Sequence, residues 1–362
     1  MQIDFANLPY QYQRYKVEID EAIQGVLDSS HYIMGEEVQQ LEENLQTFTG
    51  VSHALTCSSG TDALLLAMMA LDIQPDDEII TTPFTFIATA ETIAFLKAKP
   101  VFVDIDEQTY TLDPAKIEAK ITEKTKVIMP VSLYGQPADM EAIQAIAKRH
   151  HLKVIVDGAQ SFGSTFKGRY DSNLGDISTT SFFPAKPLGC FGDGGAVFTN
   201  DAILAEKIHS LRVHGQSKRY HHYTIGMGGR MDTLQCAIVN VKLKYYQEDL
   251  ARRQEVASLY TQQLNASNRI LPLVDPRATS AWAQYSIRVE HREALQVKLK
   301  EAGIPTAVHY PIPLHLQEVF AYLGYKQGAF PIAERVSREI MSLPMNPYLS
   351  RDEIRYISEV LG

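Results

Sequence analysis

The sequence has no surplus of positive charge: 34 Lys and Arg stand against 43 Asp and Glu, a formal net charge of −9 over 362 residues. No basic face dominates such a chain, which argues against nucleic acid as a main partner. Cysteine is scarce. Cys57, Cys190 and Cys236 are odd in number and widely spaced, with no C-x-x-C pair. That pattern excludes a disulfide framework and a cysteine zinc site, and it fits a reducing cytoplasm. Long apolar runs are also missing. The longest, Ala63 to Ile73, is broken by Asp72 and is too short to span a bilayer, so it reads as a buried helix and no membrane contact is expected. The opening MQIDFANLPYQYQRYK contains an acid and no apolar stretch, unlike a signal peptide. There is no internal repeat or low-complexity segment, and no G-x-G-x-x-G follows the first expected strand, which disfavours a Rossmann-type oxidoreductase.

What is present is an ordinary globular composition, 45% hydrophobic and 21% charged. The length predicts two domains. Helical spacing over Tyr15 to Leu27 and Glu36 to Phe48 leads into an alternation of strands and helices. Strands are expected at His53–Cys57, Glu78–Thr82, Pro100–Asp104, Val127–Leu133, Val154–Asp157 and Ile177–Phe183, with helices between them, one over Pro114 to Ile121. This rhythm predicts an α/β fold with a mostly parallel sheet and helices on both faces. A long helix from Met231 to about Leu264 connects to a smaller α+β part, with helices at Arg292–Ala302, Pro331–Met341 and Arg351–Leu361. The division falls at residues 1–249 and 250–362.

Parallel sheets bind ligands at the carboxyl ends of their strands, and several candidates collect there. Ser58-Ser-Gly-Thr61 opens an apolar helix, where free N–H groups attract a phosphate. The plainer reading is an N-cap with a flexible glycine. Asp157 ends an apolar strand, and a carboxylate there needs a partner. That partner could be a protonated ring nitrogen, a helix end or a metal. Gln160 could bond a neighbouring phenolic oxygen. Phe86, past a strand and a proline, is either a plate for a planar ring or a core aromatic. Lys186 sits between Pro184 and Pro187 on a loop after the Ile177–Phe183 run. Pro187 keeps it out of the α region, a stiff setting suited to Schiff-base chemistry. Gly192-Asp-Gly-Gly195 precedes a β-run, not a helix, and so is not a phosphate loop. His150-His151 and His221-His222 lack a carboxylate at ligand spacing and read as surface residues; no metal is expected. Lysine, acid, aromatic plate and phosphate site together meet the needs of pyridoxal 5'-phosphate (PLP).

With those residues in view, the sequence resembles the PLP-dependent sugar aminotransferases of the DegT/DnrJ/EryC/StrS family, which share the fold type I, aspartate aminotransferase-like architecture. The resemblance runs from Tyr32-Ile-Met-Gly35 through SSGTDAL, PFTFIATAE, VDIDEQTYTLDP, PVSLYGQPADM, VIVDGAQSFG and TSFFPAKPLGCFGDGGA to GGRMDTLQCAI and AVHYPIPLH. It implies that Lys186 carries the cofactor as an imine. Asp157 would pair with the pyridinium nitrogen, Gln160 with the ring hydroxyl oxygen and Phe86 with the ring face, while Gly60, Thr61 and Ser181 hold the phosphate. Substrate contacts would fall on Ser30, Tyr32, Arg230, His309 and Tyr310, with Arg230 reaching into the partner's site of a homodimer.

SLYGQPADM, FFPAKPLGCFGDGG, HGQSKRYHH and TAVHYPIPL further resemble the branch acting on UDP-2-acetamido-2-deoxy-3-oxo-glucuronate in O-antigen and capsule synthesis. That branch implies L-glutamate as donor and a UDP-sugar as acceptor; the alternative is a 4-keto sugar nucleotide, dTDP- or UDP-linked. Lys186 argues against the dehydratase branch, which has histidine there. The chain departs from the family twice: Gly228 replaces an asparagine donated across the dimer to the phosphate, and Ala185 replaces a serine or threonine beside the lysine. The basic loop around Lys218 and Arg219 is a candidate for a substrate carboxylate or diphosphate, or a solvated surface segment.

Overall fold

The computed structural model describes residues 2–265 and 269–362. At its centre is a seven-stranded sheet of β1 (His53–Cys57), β2 (Glu78–Thr81), β3 (Lys99–Phe102), β4 (Thr125–Ile128), β5 (Lys153–Asp157), β6 (Ile177–Ser181) and β7 (Gly195–Thr199), in the order β1-β7-β6-β5-β4-β2-β3. Only β7 runs against its neighbours, pairing antiparallel with β1 and β6; every other pairing is parallel. The expected α/β architecture is therefore present.

Alternate residues of each strand face opposite layers. Ile79, Val127, Ile155 and Val197 pack with α3 (Gly60–Ala70) and α6 (Ala202–Leu211). Their sequence neighbours Ile80, Ile128, Val154 and Val156 pack with α5 (Met140–His150) on the other face. Further along that face, Ala196 and Phe198 meet α2 (Glu36–Thr49) and α7 (Thr233–Leu264). The sheet is covered on both sides, as continuous apolar strands require.

A separate core joins the far half of α7, through Val256, Tyr260 and Leu264, to Tyr285, Ile287, Met341 and α10 (Arg351–Leu361). Ile3 is buried in this core, held by hydrogen bonds from its N–H to Gly303 O and from Met345 N–H to Phe5 O.

Four local expectations change. Pro114 to Ile121 is two 3₁₀ turns, Pro114–Lys116 and Glu118–Lys120, not one helix. Ile117 is the one fully buried side chain of the stretch, and a single anchor gives no i, i+3, i+4 stripe to hold a helix. The Val127–Leu133 strand stops at Ile128, because Pro130 has no N–H for the ladder. The Pro331–Met341 helix ends at Glu339 as α9 (Pro331–Glu339), and Ile340–Leu343 pairs antiparallel with Tyr285–Arg288. Four successive buried side chains there are better satisfied by a strand. The first helix, α1 (Leu8–Ser29), starts earlier than its apolar spacing suggests, with a proline in its first turn.

Candidate active site

A cleft of about 510 Å³ opens at the carboxyl ends of the central strands. Gly60, Thr61, Phe86, Asp157, Gln160, Ser181, Lys186, His309 and Tyr310 all line it.

Asp157 closes β5 and is 4% exposed. Its Oδ2 accepts a hydrogen bond from Thr89 Oγ1 at 2.7 Å and its Oδ1 one from Ala159 N–H at 3.2 Å. Burial pushes its carboxyl above the usual range, and these two bonds and the Lys186 charge oppose the rise. Gln160 is oriented by the backbone: Tyr134 N–H donates to its Oε1 at 2.8 Å, which turns Nε2 toward Tyr310 Oη at 3.1 Å. The amide therefore presents donors to a phenolic oxygen. Beneath this loop lies a second buried acid, Asp171, which accepts a hydrogen bond from Ser161 Oγ and is pushed up to about 6 by desolvation.

At the phosphate end, Ser59 caps α3 by accepting from Asp62 N–H at 3.0 Å. Both serine hydroxyls are turned to Asp62 Oδ2. The amides of Gly60 and Thr61, in the first helical turn, have no intrahelical acceptor and point outward. A Cβ on Gly60 would lie 2.6 Å from Ser181 Cβ, so only glycine lets the helix start approach the end of β6. Gly195 does the same on the other side, where a Cβ would meet Ser59 C at 2.6 Å. Gly195 is thus packing that seats this helix start.

Lys186 ends a turn closed by its own N–H to Phe183 O at 2.8 Å. Burial lowers its amine from 10.5 to about 8, against the attraction of Asp157. His309 is pushed down to about 4 by burial and then by the Lys186 charge, so its imidazole is neutral. Its Nδ1 lies 2.9 Å from Ser342 Oγ. Phe86 stands at the rim, 54% exposed, with its ring centroid 6.1 Å from that of Tyr310. At that exposure Phe86 is not a core aromatic.

Three expected substrate residues lie outside the cleft. Arg230 lines a neighbouring depression with Ser58, Asp62, Asp193 and Asp232. Tyr32, 45% exposed, sits beside it, its carbonyl accepting from Thr233 N–H, while Ser30 caps the end of α1 in the open. Gly228 and Ala185 are both exposed. Lys218 and Arg219 project on an exposed hairpin around Gln216–Lys218 and His221–His222. His150 contacts Glu118, and among the described residues no three His, Cys, Asp or Glu side chains gather to hold a metal.

Residues 13–362 match the sequence pattern of the DegT/DnrJ/EryC1/StrS aminotransferase family. The chain belongs to this family. It is 49% identical over 359 residues, 99% of each chain, to the UDP-2-acetamido-2-deoxy-3-oxo-D-glucuronate aminotransferase of Pseudomonas aeruginosa. Its fold matches that of DesV from S. venezuelae, solved in complex with a ketimine intermediate, with a TM-score of 0.97 at 37% identity over 99% of this chain and 97% of that one. NtdA of Bacillus subtilis, solved with bound PMP, matches with a TM-score of 0.92 at 32% identity, over 99% of this chain and 84% of that one.

The aminotransferase's cleft fits PLP on its own evidence. Asp157 is a buried carboxylate with no cationic side chain paired to it, and Lys186 makes no side-chain hydrogen bond among the described residues. A pyridinium nitrogen and an aldehyde supply what each lacks. Sequence reasoning missed three supports: Thr89, whose hydroxyl lies 3.0 Å from that of Thr85; Tyr134, which orients Gln160; and Gln284 on the cleft wall. Thr85 and Thr89 stand four apart at a helix start, a usable signal. Tyr134 and Gln284 reach the site through tertiary contacts that no local pattern reveals.

Proposed function

We propose that this aminotransferase moves the amino group of L-glutamate to the 3-keto group of UDP-linked 2-acetamido-2-deoxy-3-oxo-glucuronate, giving a 3-amino sugar for O-antigen or capsule polysaccharide. The observation that carries the substrate is the 49% identity, end to end, with the Pseudomonas aeruginosa enzyme named for it. The reading further takes the active unit to be a cytoplasmic homodimer, with a boundary near residue 250 inside α7.

PLP, when bound, supplies an electron sink for the carbon that loses or gains a proton. The rest is the work of the chain. Lys186, near half-neutral at about pH 8, would provide the amine that binds the aldehyde and, once freed, would carry a proton between the two carbons on either side of the transferred nitrogen as a general base and acid. Asp157, held by Thr89, stabilises positive charge on the ring nitrogen. Gln160 donates to the ring oxygen, while Gly60, Thr61 and Ser181 surround the phosphate. Arg230, with Lys218 and Arg219, supplies cations for a carboxylate or diphosphate.

The test is a panel of UDP- and dTDP-linked 3-keto and 4-keto sugars offered with glutamate, read by mass spectrometry. Amination of the 3-keto uronate is the expected result; turnover of 4-keto sugars alone would overturn it. Lys186→Ala should remove both the visible absorbance of the lysine-linked cofactor and all transamination.

A further inference from the structure

Several polar side chains of the cleft are bonded within the protein. Asp157 is tied to Thr89, Gln160 to Tyr134 and Tyr310, and His309 to Ser342. Gln284 lines the same cleft, yet its Oε1 is buried with no hydrogen-bond partner, and its side-chain amide makes no bond among the described residues. A buried amide oxygen left without a donor is costly, and native proteins keep few of them.

The residue is not loosely placed. It directly precedes the strand Tyr285–Arg288, and its own N–H approaches Tyr134 O at 3.5 Å. The preceding backbone is pressed against Gly135, where a Cβ would meet Trp282 N at 2.6 Å. Gln284 is therefore tied through its backbone to Tyr134, the residue whose N–H orients Gln160.

The cofactor does not need this amide, since Asp157, Gln160 and the Gly60–Thr61 helix start already serve its ring and phosphate. That leaves the substrate. A carboxylate offers acceptors only and would leave Oε1 unmet. A neutral group with both a donor and an acceptor can meet whichever end of the amide faces it, however the amide plane is turned. On the proposed acceptor, the 2-acetamido group has this chemistry, and it adjoins the reacting carbon, so it enters the same cleft as Lys186.

We propose that Gln284 is a specificity-determining residue that hydrogen-bonds the acetamido group of the sugar nucleotide; this rests on the substrate reading above. The test compares amination of the 2-acetamido-3-keto uronate with that of its 2-hydroxy analogue, following the cofactor spectrum by stopped flow. The wild-type enzyme should prefer the acetamido sugar, and Gln284→Leu should reduce the ratio of the two kcat/KM values about tenfold. Gln284→Asn, which keeps an amide one methylene further back, should give an intermediate ratio, and it carries the test if the leucine variant fails to bind cofactor. An unchanged ratio, with both sugars slowed equally, overturns the role of Gln284 while leaving the substrate reading standing. A wild-type enzyme that aminates no 2-acetamido-3-keto sugar overturns both.

Discussion

Burial lowers the affinity of Lys186 for protons, and this has a measurable effect on stability. Its amine falls from 10.5 to about 8 in the fold. Below pH 8 the amine is protonated both folded and unfolded, so the cost of burying the charge is present in full. Between about 8 and 10.5 the unfolded chain binds more protons, and stability rises with pH. Lys186→Met in the cofactor-free protein should therefore raise the melting temperature at pH 7, with a gain that shrinks as pH climbs through that window, measured by scanning fluorimetry. Thr89 gives a second test. Thr89→Val keeps the shape but removes the donor 2.7 Å from Asp157 Oδ2. It should cost about 1–3 kcal/mol in urea unfolding, raise the Asp157 carboxyl further and weaken PLP binding, measured by absorbance titration. That Lys186, Asp157, Gln160 and Phe86 share one cleft was legible in the sequence, because each stands at or shortly past the carboxyl end of a strand. Thr89 and Tyr134 were not, because they act through partners 68 and 26 residues away.

At the level of elements, the approach of α3 to β6 depends on one missing side chain. Gly60→Ala would gain helix propensity of at most about 1 kcal/mol, but its Cβ would stand 2.6 Å from that of Ser181. Overpacking at such a contact costs about 1–3 kcal/mol, so the clash wins. PLP affinity should fall at least about tenfold, more than the affinity for the dephosphorylated pyridoxal, in parallel absorbance titrations. The elements themselves were read well where two signals agreed, as at His53–Cys57 and Arg351–Leu361. Reading failed where packing decided the outcome. Ile117 alone cannot hold a helix, and Ile340–Leu343 becomes a strand because Tyr285–Arg288 lies beside it.

At the scale of the whole molecule, Arg230 lines a depression beside the cleft, and Tyr32 and Ser30 also lie outside the cleft lining. Under the dimer reading these residues complete the partner's site. Lys186→Ala and Arg230→Ala would each be inactive alone, yet a mixed dimer would carry one intact site. Co-refolding the two in equal amounts should restore roughly a quarter of wild-type activity, since half of the dimers are mixed and each has one working site of two. A mixture as inactive as its components would place Arg230 in its own chain's site. One more feature of the fold bears on how it is made. Ile3 is buried among residues near the far end of the chain, with its N–H on Gly303 O. On the ribosome those first residues must wait for nearly everything after them to be synthesised, so this core is among the last to close. A rigid fusion joined directly ahead of Ile3 would block that closure, and a flexible spacer would relieve it.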